Sequence, residues 1–140
     1  MNRAAIYCLI LVTASLASCV KDKIRVTDAW ARPGESGGSS AVFFVVRNRT
    51  VDNVILIDVF AEVAGMVELH RTTIVDNVMK MVTQDAIVVH ADSDLPFEPR
   101  SLHVMLMGLR RDLNPGDSFV LGLRFNNGRE MSMKVRVKAE

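Results

Sequence analysis

Cysteine is almost absent from this chain, since both of its cysteines, Cys8 and Cys19, lie within the first nineteen residues. The rest of the chain therefore cannot form a disulfide, a CxxC redox motif, a cysteine nucleophile or the thiolate ligand of a blue-copper centre. An excess of one charge sign is also missing, because the formal net charge is +1. That balance does not favour a polyanionic partner, so we expect no nucleic-acid binding.

A long hydrophobic run is missing as well, and the one apolar segment is short. Residues 4–16 are apolar and follow the basic Met1-Asn2-Arg3, an arrangement with the length of a secretory signal and too short to span a bilayer as a helix. The segment ends in Leu16-Ala17-Ser18-Cys19, which resembles a bacterial lipobox and implies cleavage before Cys19 and diacylation of its thiol. The alternative is an ordinary secretory signal in which Cys19 has no role.

These features divide the chain into three parts. We expect residues 1–18 to be a lipoprotein signal peptide, residues 19–23 the lipidated cysteine and a tether, and residues 24–140 a single folded domain. Removing residues 1–18 takes away one basic residue, Arg3, so the mature chain has a net charge of zero. The predicted location is periplasmic or otherwise extracytoplasmic, and membrane-anchored. Val20 stands where some inner-membrane lipoproteins have Asp, which favours the outer membrane.

Helical periodicity is the last absence, since no segment of the domain keeps it over ten or more residues. Instead, short runs of β-forming residues are separated by turn signals about every 8–12 residues, which predicts an all-β, antiparallel sandwich or barrel. Asn126-Asn127-Gly128 is a strong hairpin signal. The predicted strands are 24–30, 41–47, 54–60, 66–74, 78–82, 86–90, 101–107, 118–125 and 129–137, with a turn at 91–94 and an edge or extended segment at 95–100.

Methionine is abundant, with 8 residues against one Trp and one Tyr, and part of it alternates with histidine. In the strand at 101–107, His103, Met105 and Met107 share one face, while the other face is aliphatic. Met66, Glu68 and His70 share a face of a second strand, and Met79 and Met81 share a face of a third. Neutral imidazole and thioether groups are the donors that select Cu(I).

Not every histidine and methionine is a candidate ligand. Met131 and Met133 alternate in line with valines on a terminal strand, which indicates core positions, and His90 stands alone beside an acidic turn. From the residues alone, the remaining candidates for a soft-metal site are His70, Met79 or Met81, His103, and Met105 or Met107.

Four of these candidates have the spacing H-x10-M-x21-H-x-M, beginning at His70. By composition this spacing is expected by chance about two times in ten thousand. It resembles the copper motif of the PCuAC family, periplasmic Cu(I) chaperones that serve the CuA centre of cytochrome c oxidase. Further similar blocks are Asp28-Ala29-Trp30-Ala31-Arg32, Val67-Glu68-Leu69-His70, Val78-Met79-Lys80-Met81, His103-Val104-Met105-Leu106-Met107-Gly108-Leu109 and Pro115-Gly116-Asp117.

The resemblance implies a cupredoxin-like Greek-key sandwich that holds one Cu(I) per chain. Its ligands would be His70, Met81, His103 and Met105, and its partner a copper-accepting oxidase subunit or an assembly factor. The family often has a second Met directly after the first His, where this chain has Arg71.

Two other classes of function are alternatives to a copper chaperone. One is a β-sandwich lipoprotein that acts as a non-metal interaction module, with methionines that only fill its core; this reading predicts His70 and Met81 far from His103. The other is an enzyme, which we do not expect, because the close carboxylate pairs fall in turns and no nucleophile–base arrangement follows from the spacing.

Overall fold

The computed structural model describes residues 24–139. The signal peptide, Cys19 and the tether therefore lie outside the described residues. Within the described range the chain forms strands and no helix. There is thus no helix in this range that is long and apolar enough to cross a membrane. The ten strands are β1 (Ile24–Ala31), β2 (Ser39–Asn48), β3 (Val54–Phe60), β4 (Ala64–Val75), β5 (Val78–Thr83), β6 (Ile87–Val89), β7 (Ser93–Phe97), β8 (Leu102–Leu109), β9 (Ser118–Phe125) and β10 (Glu130–Val137).

The strands follow the alternation in the sequence, and most of their ends lie within two residues of the predicted ones. A turn was predicted over 91–94, but the turn is limited to Ala91 and Asp92, and β7 already begins at Ser93. Asp92 has a positive φ of 46°, and the chain is then extended so that Ser93 pairs with Asn48 of β2. Short polar side chains such as Asp tolerate this left-handed conformation better than most residues.

Hydrogen bonds join nine of the strands into one path in the order β5-β4-β8-β2-β1-β10-β9-β3-β6, and β7 pairs with β2. Every pair is antiparallel except β1 with β10, where Trp30 is opposite Arg136 and Ala31 opposite Val137 in parallel register. The predicted antiparallel sheet thus contains one parallel pair. The physical reason is that the first and last strands are not joined by a hairpin, so no short turn imposes the antiparallel direction.

Strand β2 organises the half of the fold that contains the candidate ligands. Its first residues, Ser39–Val42, pair with β8, and its later residues, Phe44–Asn48, pair with β7. The sheet folds over on itself, because β3 contacts β4 and β6 contacts β7 although neither pair is hydrogen-bonded. The enclosed face carries the aliphatic and phenylalanine side chains of the core, including Phe44 and Phe97, whose rings stack 4.3 Å apart.

Strand β8 lies between β4 and β2 and shows the predicted division of its faces. Leu102, Val104 and Leu106 are all at most 2% exposed and belong to the core. The alternate residues point to the opposite face of the sheet, where β4 contributes its even-numbered side chains. This second face is the one that carries histidine and methionine.

Candidate metal centre

The pairing of β4 with β8 brings two histidines together. His70 and His103 are directly opposite in the antiparallel register. Their ring centroids are 5.7 Å apart, and the ring planes meet at 71°. Thirty-two intervening residues separate them in the chain, so the sheet register alone makes them neighbours.

The orientation of the His70 ring is fixed by a carboxylate. Glu68 lies two residues earlier on the same face of β4, and its Oε2 is 2.8 Å from His70 Nε2. A carboxylate accepts hydrogen bonds, so Nε2 carries the proton and donates it. The other ring nitrogen, Nδ1, is buried and has no hydrogen-bond partner. His70 therefore presents the lone pair of Nδ1.

The His103 ring is held in the opposite tautomer. Its Nδ1 donates to the backbone carbonyl of Ser101 at 3.1 Å, and its Nε2 is buried without a partner. In the part of the chain that the structure describes, these two ring nitrogens are the buried side-chain nitrogen and oxygen atoms that lack a partner. An unsatisfied buried polar atom costs about 1–3 kcal/mol, and metal-binding histidines typically donate their second N–H to a carboxylate or carbonyl. Both features fit a metal ion bound between the two rings.

Two methionine side chains lie on the same face of the sheet as the two imidazoles. Met105 follows His103 on the same face of β8, and Met81 comes from β5, where it is opposite Thr72 of β4. Met81, His103 and Met105 line one cavity of about 190 Å³, and Met81 is 58% exposed. Two neutral nitrogens and two neutral sulfurs form a soft donor set of the kind that suits Cu(I).

The alternative methionines are placed elsewhere on this face. Met79 is opposite Ile74, two residue pairs beyond Met81 towards the end of the β4–β5 hairpin, and Met107 is opposite Met66. Neither lines the cavity that contains His103. Among the described residues no three His, Cys, Asp or Glu side chains converge on a point, so a metal at this place needs the thioethers.

Aromatic side chains cover the buried end of the centre. Phe43 of β2 is 2% exposed, and its ring centroid is 6.4 Å from that of His103. The Trp30 ring centroid lies 4.7 Å from that of Phe43. The Arg32 guanidinium carbon is 5.3 Å from the Phe43 ring centroid. Burial is the main cause that lowers the pKa of His103 below 6.5. The hydrogen bond that His103 donates to the Ser101 carbonyl opposes this effect, and the nearby His70 and Arg32 lower the pKa further. The neutral ring, which is the form that binds metal, is therefore favoured.

Sequence reasoning missed the residues that support the ligands. Glu68 was placed on the His70 face but given no role, although its i, i+2 spacing on a strand was the available signal. Ser101 acts through its carbonyl, which no side chain reveals, and Phe43 lies in a continuous apolar run that shows no alternation.

The remaining candidate residues and a larger cavity lie outside this centre. His90 is exposed, and Met131 and Met133 pack against the core, as their alternation indicated. A larger cavity of about 620 Å³, bordered by Phe60 and Phe119 among others, contains none of the four predicted ligands. The size of a cavity thus does not identify the centre, whereas its donor atoms do.

Comparison with protein families gives one match over nearly the whole described chain. The family model described as "Putative lipoprotein LpqE-like" matches residues 24–137. The chain belongs to the LpqE-like family. A relative of the chain is the "Putative lipoprotein Lxx21020" of Leifsonia xyli subsp. xyli, 30% identical over 118 residues, with 84% of this chain and 70% of that protein covered. The "Uncharacterized protein RP573" of Rickettsia prowazekii is 29% identical over 119 residues, which are 81% of this chain and 66% of that protein.

Solved structures similar to this LpqE-like chain include PCuAC domains. The "Copper-bound PCuAC domain from PmoF2" has a TM-score of 0.70 at 23% identity, covering 84% of this chain and 94% of the other. The solution structure of "CuI-DR1885" from Deinococcus radiodurans has a TM-score of 0.61 at 26% identity, covering 84% and 80%. The predicted all-β, cupredoxin-like Greek-key fold is confirmed. These structures support the resemblance to the PCuAC family at the level of the fold, whereas the family model that matches the chain is the LpqE-like one.

Proposed function

We propose that this protein is an extracytoplasmic, lipid-anchored Cu(I) chaperone that delivers copper to the CuA centre of cytochrome c oxidase or to its assembly factors. One observation carries the proposal: the buried nitrogens His70 Nδ1 and His103 Nε2 have no hydrogen-bond partner, and their rings are 5.7 Å apart. His103 also lines one cavity together with Met81 and Met105. The bound ion is one Cu(I) per chain. Copper is the cargo of this protein, and no reaction on a substrate is proposed.

The similar structures support copper as the ion. Two of them are copper-bound, one of them with Cu(I), and the Cu(I) protein is 26% identical to this chain over 84% of this chain's length. The soft, neutral donor set agrees with Cu(I) rather than with a hard cation. After Cys19 the chain contains no thiol, so the site does not depend on a ligand that oxidises to a disulfide.

The exposure of one ligand suits transfer rather than storage. His103 is 3% exposed, whereas Met81 is 58% exposed and comes from β5, the terminal strand of the path. A partner can therefore replace Met81 first and displace the imidazoles later. Stepwise exchange of neutral ligands is a low-charge route for moving Cu(I) between proteins.

Membrane attachment is proposed through Cys19. It rests on Leu16-Ala17-Ser18-Cys19 and agrees with the lipoprotein description of the family. Diacylation supplies two chains, where a single chain gives only marginal binding. The preference for the outer membrane stays a prediction based on Val20, and fractionation of a Cys19→Ser variant tests the anchor itself.

The metal site is tested by anaerobic Cu(I) titration of residues 20–140, which include all ten strands, against a chromophoric chelator. We expect one tight equivalent in the unmodified chain. Replacing Met81 and Met105 by Leu removes two thioethers at nearly constant volume and should abolish tight binding. Replacing Met131 and Met133 by Leu is the matched control and should retain it. If the unmodified chain fails to compete, the non-metal interaction module becomes the better interpretation.

The client is tested with the same loaded protein. Mixed anaerobically with the apo CuA domain of an oxidase, it should lose its copper to that domain, as followed by metal analysis after separation. Retention of copper in the presence of excess acceptor would restrict the proposal to copper binding.

A further inference from the structure

The histidine–methionine face of β4 and β8 continues beyond the candidate metal centre. Along the two strands, the His70–His103 pair is followed by Glu68 opposite Met105, and then by Met66 opposite Met107. Side chains two residues apart on a strand point to the same face. Met66 and Met107 therefore lie on the face of the metal centre, one pair beyond Met105.

Packing does not explain why methionine occupies these two positions. Met66 is 55% exposed and Met107 is only partly buried, so neither thioether is enclosed by the core. Met131 and Met133 on β10, by contrast, pack against the core and fill space there. Long apolar side chains on an open face bury little area and therefore add little to stability.

The pair has the geometry for binding an ion. Directly opposite residues of an antiparallel pair have Cβ atoms about 4.5–5.5 Å apart, and a methionine side chain has three rotatable bonds that can direct its sulfur. Both sulfurs can therefore reach one ion between the strands. Glu68 lies between Met66 and His70 on β4, and its carboxylate favours a cation on this face.

We propose that Met66 and Met107 form a second, weaker site for a soft monovalent cation, Cu(I) or Ag(I). Met105 is two residues from both His103 and Met107 on β8, about 7 Å along the strand in each direction, and is therefore within reach of an ion at either site. The second site serves as the position through which Cu(I) enters or leaves the first one; in this role it rests on the proposed function. Its affinity is lower because it lacks imidazole ligands.

Titration with Ag(I), a redox-stable and diamagnetic probe, separates the two sites. We expect the methyl resonances of Met81 and Met105 in methyl-¹³C-methionine-labelled protein (residues 20–140) to shift during the first equivalent. The resonances of Met66 and Met107 should shift during a second equivalent, with an affinity at least tenfold weaker, which corresponds to about 1.4 kcal/mol. Met131 and Met133 report from the same spectra as internal controls and should not move.

Two variants make the result decisive. In Met66→Leu/Met107→Leu the second step should disappear and the first should remain, whereas Met131→Leu/Met133→Leu should keep both steps. A second step that persists in the Met66/Met107 variant, or that is missing from the unmodified chain, overturns the second site; so does loss of the first step in that variant. Absence of the first step from the unmodified chain, with Met66 and Met107 still shifting, counts against the chaperone proposal and leaves the thioether pair supported.

Discussion

On β8, the residues of both faces around His103 are equally buried, but only one face has a buried polar atom without a hydrogen-bond partner. Leu102 and Val104 on the core face are 2% and 0% exposed, and His103 between them is 3% exposed. The core face has no polar atom to satisfy, whereas His103 leaves Nε2 without a partner. Burial by itself therefore does not distinguish a stability residue from a binding residue, and hydrogen-bond satisfaction does.

The largest expected effect comes from emptying the core face. Leu106→Ala removes a fully buried side chain and should lower the free energy of unfolding by about 2–5 kcal/mol. The Cu(I) stoichiometry of the folded protein should not change, because Leu106 points away from the ligands. Urea denaturation measures the first quantity and chelator competition the second. Leu106→Met, which keeps the volume, should cost less than about 1.5 kcal/mol; loss of copper binding in either variant would contradict the separation of the faces.

An intermediate effect, on Cu(I) affinity, is expected from replacing Glu68, the carboxylate that holds the His70 ring. Glu68→Gln removes the charge that orients the His70 ring and should weaken Cu(I) binding about 10–100-fold, or about 1.4–2.7 kcal/mol, while the fold is retained. Glu62→Gln, a carboxylate that lines the larger cavity, is the control and should bind like the unmodified chain. Equal affinities in the two variants would show that Glu68 does not act on the ligand.

The smallest expected effect is the pH dependence of stability that comes from His103. Because burial lowers the pKa of His103, the unfolded chain takes up a proton near pH 6.5 that the folded chain still excludes. The stability of the metal-free protein should therefore decrease as pH falls below about 6.5, by at most about 1.4 kcal/mol per pH unit for this group. Denaturation between pH 7.5 and 5 measures the slope, and His103→Gln should flatten it. An unchanged slope in that variant would show that another group is responsible.

Much of the fold could be predicted because alternation is a local signal. The two faces of β8, the His70 face of β4 and the pair Met79 and Met81 of β5 are all recorded in spacings of two residues. The pairing of β1 with β10 has no such signal, since nothing near Trp30 specifies Arg136 as its neighbour. Parallel pairing of distant strands depends on the whole topology rather than on any turn.

The candidate site divides in the same way. The resemblance to the PCuAC motif implied four ligands between His70 and Met105, and the register brings the two histidines together. The tautomers could not be predicted, because they depend on where the Glu68 carboxylate and the Ser101 carbonyl lie in space. The register of β5, which places Met81 opposite Thr72 and Met79 opposite Ile74, was not predicted either.

The parallel β1–β10 pair has a consequence for how the chain folds as it is made. In the hydrogen-bonded path this pair is the link between the half that contains β4, β5 and β8 and the half that contains β3, β6 and β9. It joins the first strand of the domain to its last, with Trp30 opposite Arg136, so the two halves are linked only after most of the domain has been brought together. Such long-range closure is typical of slow folding, in milliseconds to seconds. Until it closes, one edge of β1 and one edge of β10 stay unpaired.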